Sequence, residues 1–259
     1  MKNMAVEKMF LLPCGFLDLD RSILLSQVDM GQKIKVTVYS VLLIHPEGPV
    51  LIDSGLNPDG LTDPEHAWGP RAKLIQPEFT EADDIRNRLK ELGLDVSDIR
   101  MVILTHLHWD HVGGLRFFTH CPIIVQKEEH RFAYNPDSFV SAQYMHNHLD
   151  FPLKYHDVEG DNAILPGISV VKTPGHTPGH QSILVKLASG SYYIFSGDVI
   201  SLEDNLKLKI PGSNSWNAKQ SMDSIYRLEH LSSILNADII PSHDVTIWER
   251  LAKSPEFIS

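Results

Sequence analysis

Two stretches of the chain carry alternating hydrophobic and polar positions, which is the pattern of β-strands that bury one face. The first covers residues 35–44 and 49–52, with a Pro-Glu-Gly turn between the two runs. The second covers residues 181–187 and 192–195, with a Ser-Gly turn between them. Each stretch predicts a β-hairpin.

Apolar positions three or four residues apart follow each hairpin. Residues 81–92 and residues 218–235 show this helical spacing, and Gly93 ends the first of the two predicted helices. A short apolar run, residues 101–104 or 238–242, comes after each helix. Both halves of the chain repeat the order hairpin, helix, strand. This repeat predicts an α/β fold made of two similar units that face each other.

Composition limits the class of protein. The chain has 259 residues, of which 42% are hydrophobic, and this is enough for a sizeable core in one domain spanning residues 1–259. A net charge of −10 argues against nucleic acid as a partner. No apolar run reaches transmembrane length, and the first residues lack the apolar core of a secretory signal. With only Cys14 and Cys121, a reduced, cytoplasmic location is the expectation.

The segment directly after the run 101–104 concentrates side chains that bind metals. Four of them lie within six residues, and a Gly-Gly pair follows; the four are His106, His108, Asp110 and His111. Imidazole and carboxylate groups are ligands for zinc, iron, cobalt and manganese. Neighbouring ligands on so short a loop point in different directions. Two adjacent ions can therefore be coordinated by these four side chains more easily than one tetrahedral ion can.

Three further ligand-type residues stand where later strands are predicted to end. His176 lies in a turn-rich segment after an apolar run, Asp198 closes the second hairpin, and His243 follows the run 238–242. Open α/β architectures place their sites at such strand ends. We expect these residues to join the ligand-rich loop.

Seven ligands are enough to coordinate two metal ions in a dinuclear centre. Its two ions would be held by His106, His108 and His176 and by Asp110, His111 and His243, with Asp198 as a bridge. Two divalent ions, two aspartates and one bridging hydroxide leave a charge of about +1 in the pocket. Such a site attracts a carbonyl or phosphoryl oxygen and stabilises the oxyanion formed on attack, which indicates hydrolysis.

These motifs resemble those of the metallo-β-lactamase superfamily, and within it the N-acyl-homoserine lactonase branch. The resemblance covers most of the chain, from about residue 36 to residue 243, and rests on the motif at 106–111, the segment 173–182, Asp198 and His243. It implies an αββα sandwich, in which two mixed sheets face each other with helices outside. The metals would lie at one edge between the sheets.

The resemblance also implies a reaction, the opening of the lactone ring of N-acyl-homoserine lactones, known as quorum quenching. We expect attack by a hydroxide that bridges two divalent ions. Zinc is the first expectation for these ions, and iron, cobalt or manganese are alternatives. Asp110 would also be catalytic, taking the proton of the nucleophile and passing it to the leaving alkoxide.

One position departs from the lactonase pattern. A tyrosine three residues after the bridging aspartate commonly contacts the lactone oxygens in that branch, whereas this chain has Ser201. Loss of an oxyanion donor costs about 2.7–4 kcal/mol. The alternative is a metallohydrolase acting on another lactone, ester, thioester or phosphotriester, similar to glyoxalase II or to phosphotriesterases.

Other residues carry weaker signals. Asp53 resembles the superfamily's first-motif aspartate, which orients a ligand histidine. Three histidines are not expected to be ligands: His180 is expected to be a hydrogen-bonded loop residue, and His146 and His148 are expected to be solvated or to lie at a pocket edge. Five aromatic residues are expected either in the core or in substrate walls: Trp68, Phe79, Trp109, Phe151 and Trp216. The resemblance suggests a homodimer, with residues 16–33 at its interface.

Overall fold

Eleven strands in the described residues form two sheets. The structure is a computed structural model that describes residues 5–75 and 77–259. The first sheet contains, in chain order, β1 (Lys8–Asp20), β2 (Lys33–Ile44), β3 (Val50–Ile52), β4 (Met101–Ile103), β5 (Pro122–Gln126) and β6 (Lys154–Val158). The second contains, also in chain order from one edge to the other, β7 (Asn162–Leu165), β8 (Ile168–Lys172), β9 (Gln181–Lys186), β10 (Tyr192–Phe195) and β11 (Ala237–Ile240).

Nine α-helices in the same part of the chain connect or flank the strands. They are α1 (Arg21–Leu24), α2 (Pro64–Trp68), α3 (Ala72–Ile75), α4 (Ile85–Glu91), α5 (Lys127–Ala133), α6 (His146–Leu149), α7 (Glu203–Leu208), α8 (Ala218–Leu235) and α9 (Val245–Arg250). Among these described helices, none combines the length and the apolar character needed to cross a bilayer.

The repeated order of elements predicted from the sequence is confirmed. In the first sheet, β2 pairs antiparallel with β3, and β3 pairs parallel with β4 after a crossover containing α4. In the second sheet, β9 pairs antiparallel with β10, and β10 pairs parallel with β11 after a crossover containing α8. Because parallel strands end at the same edge of a sheet, the segments after β3 and β4 lie side by side. The same holds for the segments after β10 and β11.

Each sheet has an inner face buried against the other sheet and an outer face covered by helices. Ile52 of the first sheet and Ile183 of the second belong to one core between the sheets. On the outer faces, Leu51 shares a core with side chains of α4, and Ile194 shares a core with side chains of α8. The result is the predicted αββα sandwich of two mixed sheets. That residues 1–259 form a single domain stays a prediction.

The predicted helix over residues 81–92 is wrong in detail, because the structure divides it. A 3₁₀ turn covers Glu81–Asp83, and α4 begins only at Ile85. Asp84 has extended backbone angles, and its side chain accepts a hydrogen bond from Arg86 N (2.9 Å). Aspartate is favoured at such N-cap positions, so the helix starts again there. The second predicted helix, over residues 218–235, is confirmed as α8.

Candidate metal centre

The ligand-rich loop after β4 is held by close backbone packing against the segment after β3. Gly113 N donates to Gly55 O (2.8 Å), and Ser54 N donates to His111 O (2.7 Å). A Cβ on Gly113 would lie 2.1 Å from Asn57 N, so this approach requires glycine. The Gly-Gly pair seen in the sequence thus fixes how the loop sits at the sheet edge.

The loop after β8, which carries His176, lies against two helices. A Cβ on Gly175 would lie 2.1 Å from Ser221 N in α8, and a Cβ on Gly179 would lie 2.0 Å from Glu129 N in α5. Both glycines therefore permit a backbone approach that any side chain would prevent. This packing positions His176 beside the loop after β4.

All seven candidate ligands lie together in the structure, and all seven are buried. They form three overlapping groups whose donor atoms lie within 4.8 Å of one another: His106, His108 and His176; His106, His111 and Asp198; and Asp110, His111 and His243. The first and third groups correspond to the two ion sites expected from the sequence. The second group connects them through Asp198.

The two oxygens of Asp198 face different histidines. Oδ1 lies 3.2 Å from Nε2 of both His111 and His243, and His243 Nε2 is also 3.3 Å from Oδ2. Oδ2 lies 3.4 Å from His176 Nε2 and 4.0 Å from His106 Nε2. Donors around one tetrahedral ion with bonds near 2.1 Å stand about 3.4 Å apart. These separations suit two ions that share the carboxylate.

Hydrogen bonds at the back of the cluster determine which ring nitrogen faces it. His111 Nδ1 donates to Asp53 Oδ2 (2.8 Å), and His243 Nδ1 donates to Thr37 O (2.8 Å). Each ring therefore turns the lone pair of its Nε2 toward the cluster. Asp53 has a φ of 55°, which is uncommon without glycine, and it also accepts from Thr105 N (2.8 Å). This is the orienting contact that the resemblance implied for Asp53.

Five buried side-chain atoms of the candidate ligands have no hydrogen-bond partner among the described residues: His108 Nε2, His176 Nδ1, His106 Nε2, His111 Nε2 and Asp198 Oδ1. The last three belong to the group that connects the two expected ion sites. An unsatisfied buried polar atom costs about 1–3 kcal/mol. A cation between those last three atoms would satisfy all three, and a set of imidazoles with carboxylates is typical of zinc and its transition-metal neighbours. The residues present therefore fit divalent metal ions.

Burial also sets the protonation of the imidazoles. It holds the pKa of His106 and His108 well below the ordinary value and lowers the pKa of His176 to about 4. Burial has the same effect on His111, but the carboxylate of Asp198 and other acidic neighbours outweigh it and raise the pKa of His111 well above the ordinary value. Neutral imidazole is the form that binds a metal. The first donor group is therefore already in its metal-binding form near neutral pH.

Glu129 of α5 is a site residue that no sequence pattern indicated. Its fully buried carboxylate accepts hydrogen bonds from Leu107 N (3.0 Å), the Tyr144 hydroxyl (3.1 Å) and the Thr177 hydroxyl (2.5 Å). Leu107 belongs to the loop after β4, and Thr177 belongs to the loop after β8. One carboxylate thus connects the two ligand loops.

The three histidines predicted to be non-ligands lie outside the three donor groups. His180 Nδ1 donates to Thr173 O (3.0 Å), and His180 Nε2 accepts from Asp198 N (3.0 Å), so this ring positions the backbone of Asp198. His146 is exposed, as expected of a solvated residue. The same expectation is wrong for His148, which is buried with Nε2 2.8 Å from Ala67 O. The prediction that His180 is a hydrogen-bonded loop residue is confirmed.

A cavity of about 300 Å³, called the site cavity below, opens onto the cluster. Its polar lining includes four of the seven candidate ligands: His108, Asp110, Asp198 and His243. Its apolar lining comes from β1, α1 and the ligand loop: Leu17, Leu19, Ile23, Leu24 and Trp109. The segment 16–33, predicted at a dimer interface, therefore contributes a wall of this cavity.

The other aromatic residues lie away from the site cavity. Trp68 packs edge to face on Phe79, with ring centroids 5.7 Å apart, and Trp68 is buried in the core. Trp216 lines a separate cavity of about 700 Å³ beside α5, to which none of the seven candidate ligands contributes in the described residues. Phe151 is partly buried. Of the five aromatic residues, Trp109 alone lines the site cavity in the part of the chain described.

Ser201 is turned away from the site cavity. Its side chain is buried, and its hydroxyl donates to Asp198 O (3.2 Å). This hydroxyl is therefore occupied within its own 3₁₀ turn. It does not replace the tyrosine of the lactonase pattern.

The fold and the cluster together point to one class of protein. The model of the metallo-beta-lactamase superfamily matches residues 35–243. The chain therefore belongs to the metallo-beta-lactamase superfamily. It is similar to the N-acyl homoserine lactonase AiiA of Bacillus thuringiensis subsp. kurstaki, with 32% identity over 98% of this chain and 100% of that protein.

Two solved structures have the same fold. One is a mutant of Bacillus thuringiensis AiiA with N-decanoyl-L-homoserine bound at its active site; it has a TM-score of 0.90 and 31% identity, over 98% of this chain and 100% of that chain. The other is an N-acyl homoserine lactone hydrolase with the product N-hexanoyl-L-homoserine bound at its catalytic metal center. It has a TM-score of 0.89 and 30% identity, over 98% of this chain and 100% of that chain.

Proposed function

We propose that the cluster holds two divalent metal ions. The first ion would be held by His106, His108 and His176, the second by Asp110, His111 and His243, and Asp198 would contact both. The unsatisfied donor atoms and their separations support this assignment. Zinc is the proposed metal, and iron, cobalt or manganese accept the same ligands.

The proposed reaction is hydrolysis of the lactone ring of N-acyl-homoserine lactones. One observation carries it: Asp198 and members of both proposed ion sites line one cavity, in a chain similar over 98% of its length to N-acyl homoserine lactonases. A purely structural role for the metal site is disfavoured, because a structural site closes its coordination and is not open to a substrate cavity.

Asp110 is the proposed proton carrier. When bound, the two divalent ions supply Lewis acidity, which polarises the ester carbonyl and lowers the pKa of the attacking water. The carboxylate of Asp110 lines the site cavity, with Oδ2 3.7 Å from His243 Nε2 and 3.8 Å from His111 Nε2. From this position it accepts the proton released by the attacking water and returns it to the leaving alkoxide.

The apolar wall of the site cavity suits the acyl chain of such a substrate. Leu17, Leu19, Ile23 and Leu24 line the same cavity as the candidate ligands. Pockets that bury most of an amphiphilic ligand combine such a wall with a few polar groups. The acyl chain would pack against the leucines while the lactone carbonyl faces the cluster.

A second candidate function follows from Ser201. Because its hydroxyl donates to Asp198 O, the chain lacks the tyrosine hydroxyl that the lactonase pattern supplies to the lactone. The absence of that donor favours a metallohydrolase acting on another ester, a thioester or a phosphotriester as the second candidate. This alternative uses the same ions and the same proton carrier.

Hydrolysis of a homoserine-lactone series of varied acyl length, followed by proton release, tests the proposal. The protein is used with its metal content measured on the same preparation. About two metal ions per chain with efficient turnover would support the lactonase assignment. Two ions without lactone turnover would reject the substrate and favour the second candidate function, which the same assay tests with thioesters and phosphotriesters.

A homodimer and a cytoplasmic location are also part of the proposal. Both cysteines, Cys14 and Cys121, are buried and free, as expected of a protein in a reducing compartment. Sedimentation equilibrium measures the assembly directly, and a monomer at micromolar concentration would contradict the dimer.

A further inference from the structure

The site cavity contains a cation that the proposed mechanism leaves unused. Arg71, directly before α3, lines the site cavity together with His108 and Asp110. Arg71 also lines a neighbouring groove of about 460 Å³, bounded by Trp68 and Met145. Its side chain therefore stands at the boundary between the candidate metal centre and the surface.

The guanidinium of Arg71 has no acceptor within the described part of the chain. Its Nε is buried and unpartnered, and Arg71 takes part in no ion pair among the residues that the structure describes. The similarly half-buried Arg88 differs, because it donates to Pro13 O (2.8 Å) and pairs with Asp83 (2.6 Å). A permanently charged group with five N–H donors is costly to bury without acceptors. The N–H groups of Arg71 are therefore available to donate hydrogen bonds to a ligand.

The charge of Asp110 favours the protonated form of Arg71, but the Asp110 carboxylate contacts two histidines instead. Burial lowers the pKa of Arg71, and the charge of Asp110 opposes this effect without forming an ion pair among the described residues. The Asp110 carboxylate instead lies between the rings of His111 and His243, at 3.8 and 3.7 Å. When these three residues hold an ion, Asp110 is still less available to Arg71.

We propose that Arg71 binds a substrate oxygen: its guanidinium donates to a carbonyl oxygen of the bound lactone and then to the carboxylate that ring opening creates. This inference rests on the proposed function. Water adds across the acyl C–O bond, which gives one carboxylate, one hydroxyl and one released proton. Because the acceptor changes from neutral to charged, the hydrogen bond strengthens on the product. Arg71 therefore supplies a donor to the ligand in a chain where the Ser201 hydroxyl is already occupied.

Calorimetric binding of ring-opened N-hexanoyl-homoserine to the metal-loaded full chain tests the assignment. Arg71→Gln should weaken binding about tenfold or more, because it removes a charged donor from a carboxylate. Arg71→Lys keeps the charge without the planar guanidinium, so its affinity should lie between that of the wild type and that of Arg71→Gln. Lys73→Gln is the matched control, since Lys73 is exposed, pairs with Glu65 (3.3 Å) and lines no part of the site cavity. We expect it to bind as the wild type does.

A structural role for Arg71 would give a different result. If Arg71 binds the substrate, Arg71→Gln raises KM for N-hexanoyl-homoserine lactone while metal content and Tm stay at their wild-type values. If its role is structural, metal content or Tm falls as well. Equal binding of the ring-opened acid by the wild type and Arg71→Gln overturns the inference, as does a wild type that does not bind it. Wild-type binding that Arg71→Gln weakens, without lactone turnover by the wild type, leaves Arg71 assigned and rejects the proposed function.

Discussion

Asp110 combines two proposed roles that one substitution can separate. Asp110→Asn keeps the shape and one oxygen of the side chain but cannot carry a proton as a carboxylate does. We expect kcat for a lactone to fall about 100-fold or more, because general acid–base catalysis contributes about 10²–10⁴-fold. Metal content per chain should stay near the wild-type value. Steady-state kinetics and metal analysis on one preparation measure both quantities.

Asp18→Asn is the matched control for this substitution. Asp18 lines the same site cavity but belongs to none of the three donor groups. Its loss removes one negative charge from the cavity, and kcat should change far less than in Asp110→Asn. If Asp110→Asn loses metal and activity in parallel, Asp110 is a ligand and not a proton carrier.

Residue type determines which parts of the site can be predicted from the sequence. Metal ligands come from few residue types, and four of them within six positions after an apolar strand are a strong signal. Arg71 and Glu129 belong to common surface types. Glu129 is fully buried whereas its neighbour Glu128 is exposed, and only the packing of α5 against the two ligand loops creates this difference.

At the scale of elements, α5 connects the two ligand loops through a single side chain. Glu129→Gln replaces one carboxylate oxygen by an NH₂ group that meets N–H and O–H donors. We expect the free energy of unfolding to fall by about 1–3 kcal/mol. That loss lowers Tm by about 2–4 °C for each kcal/mol in a chain of this size. Thermal unfolding of the metal-free protein measures it without a contribution from bound ions.

Glu128→Gln on the same helix is the comparison variant. Glu128 is exposed and pairs with Lys172 (2.6 Å), and such surface pairs contribute about 0–1 kcal/mol. Its Tm should remain close to that of the wild type. Equal shifts in the two variants would show that Glu129 contributes no more than a surface carboxylate.

Elements with a regular period were predictable, and those with local irregularities were not. α8 has five turns of amphipathic sequence and was predicted with its observed ends. β1 spans 13 residues but has no regular alternation, because its pairing with β2 shifts register between Pro13 and Phe16. The bulge changes which side chains face the core, so the period-two pattern is lost.

For the whole molecule, each of the two proposed ion sites takes residues from both sheets. His106, Asp110 and their loop follow β4 in the first sheet, whereas His176, Asp198 and His243 follow strands of the second. Removing the ions with a chelator should lower Tm by about 5–10 °C, given about 2.7 kcal/mol of stabilisation at a metal concentration 100 times Kd. Differential scanning calorimetry before chelation, after it, and after metal is restored checks the effect.

Asp198→Asn tests whether that stabilisation comes from the proposed centre. The variant alters the residue proposed to contact both ions and present in the group that connects the two ion sites, so chelation should change its Tm much less than that of the wild type. An identical chelator effect in both proteins would place the stabilising ions elsewhere.

The arrangement of sheets followed from the sequence because the repeat is long-range and regular. Both halves show a hairpin, a helix and a strand, and the structure gives each the same antiparallel and parallel pairings. Five strands lie outside this repeat: the sequence indicated β8 by the apolar run before His176, whereas β1, β5, β6 and β7 showed no periodic signal. Their place depends on edges that exist only after the central strands have paired.

Because each donor group draws on both sheets, neither half of the chain can assemble a complete site by itself. A refolding chain therefore recovers activity only after the two sheets have docked face to face. The proposed ions would find a complete binding site only after this docking. Catalytic recovery after dilution from denaturant thus times the docking of the sandwich, an event that a probe of helix or strand content would detect too early.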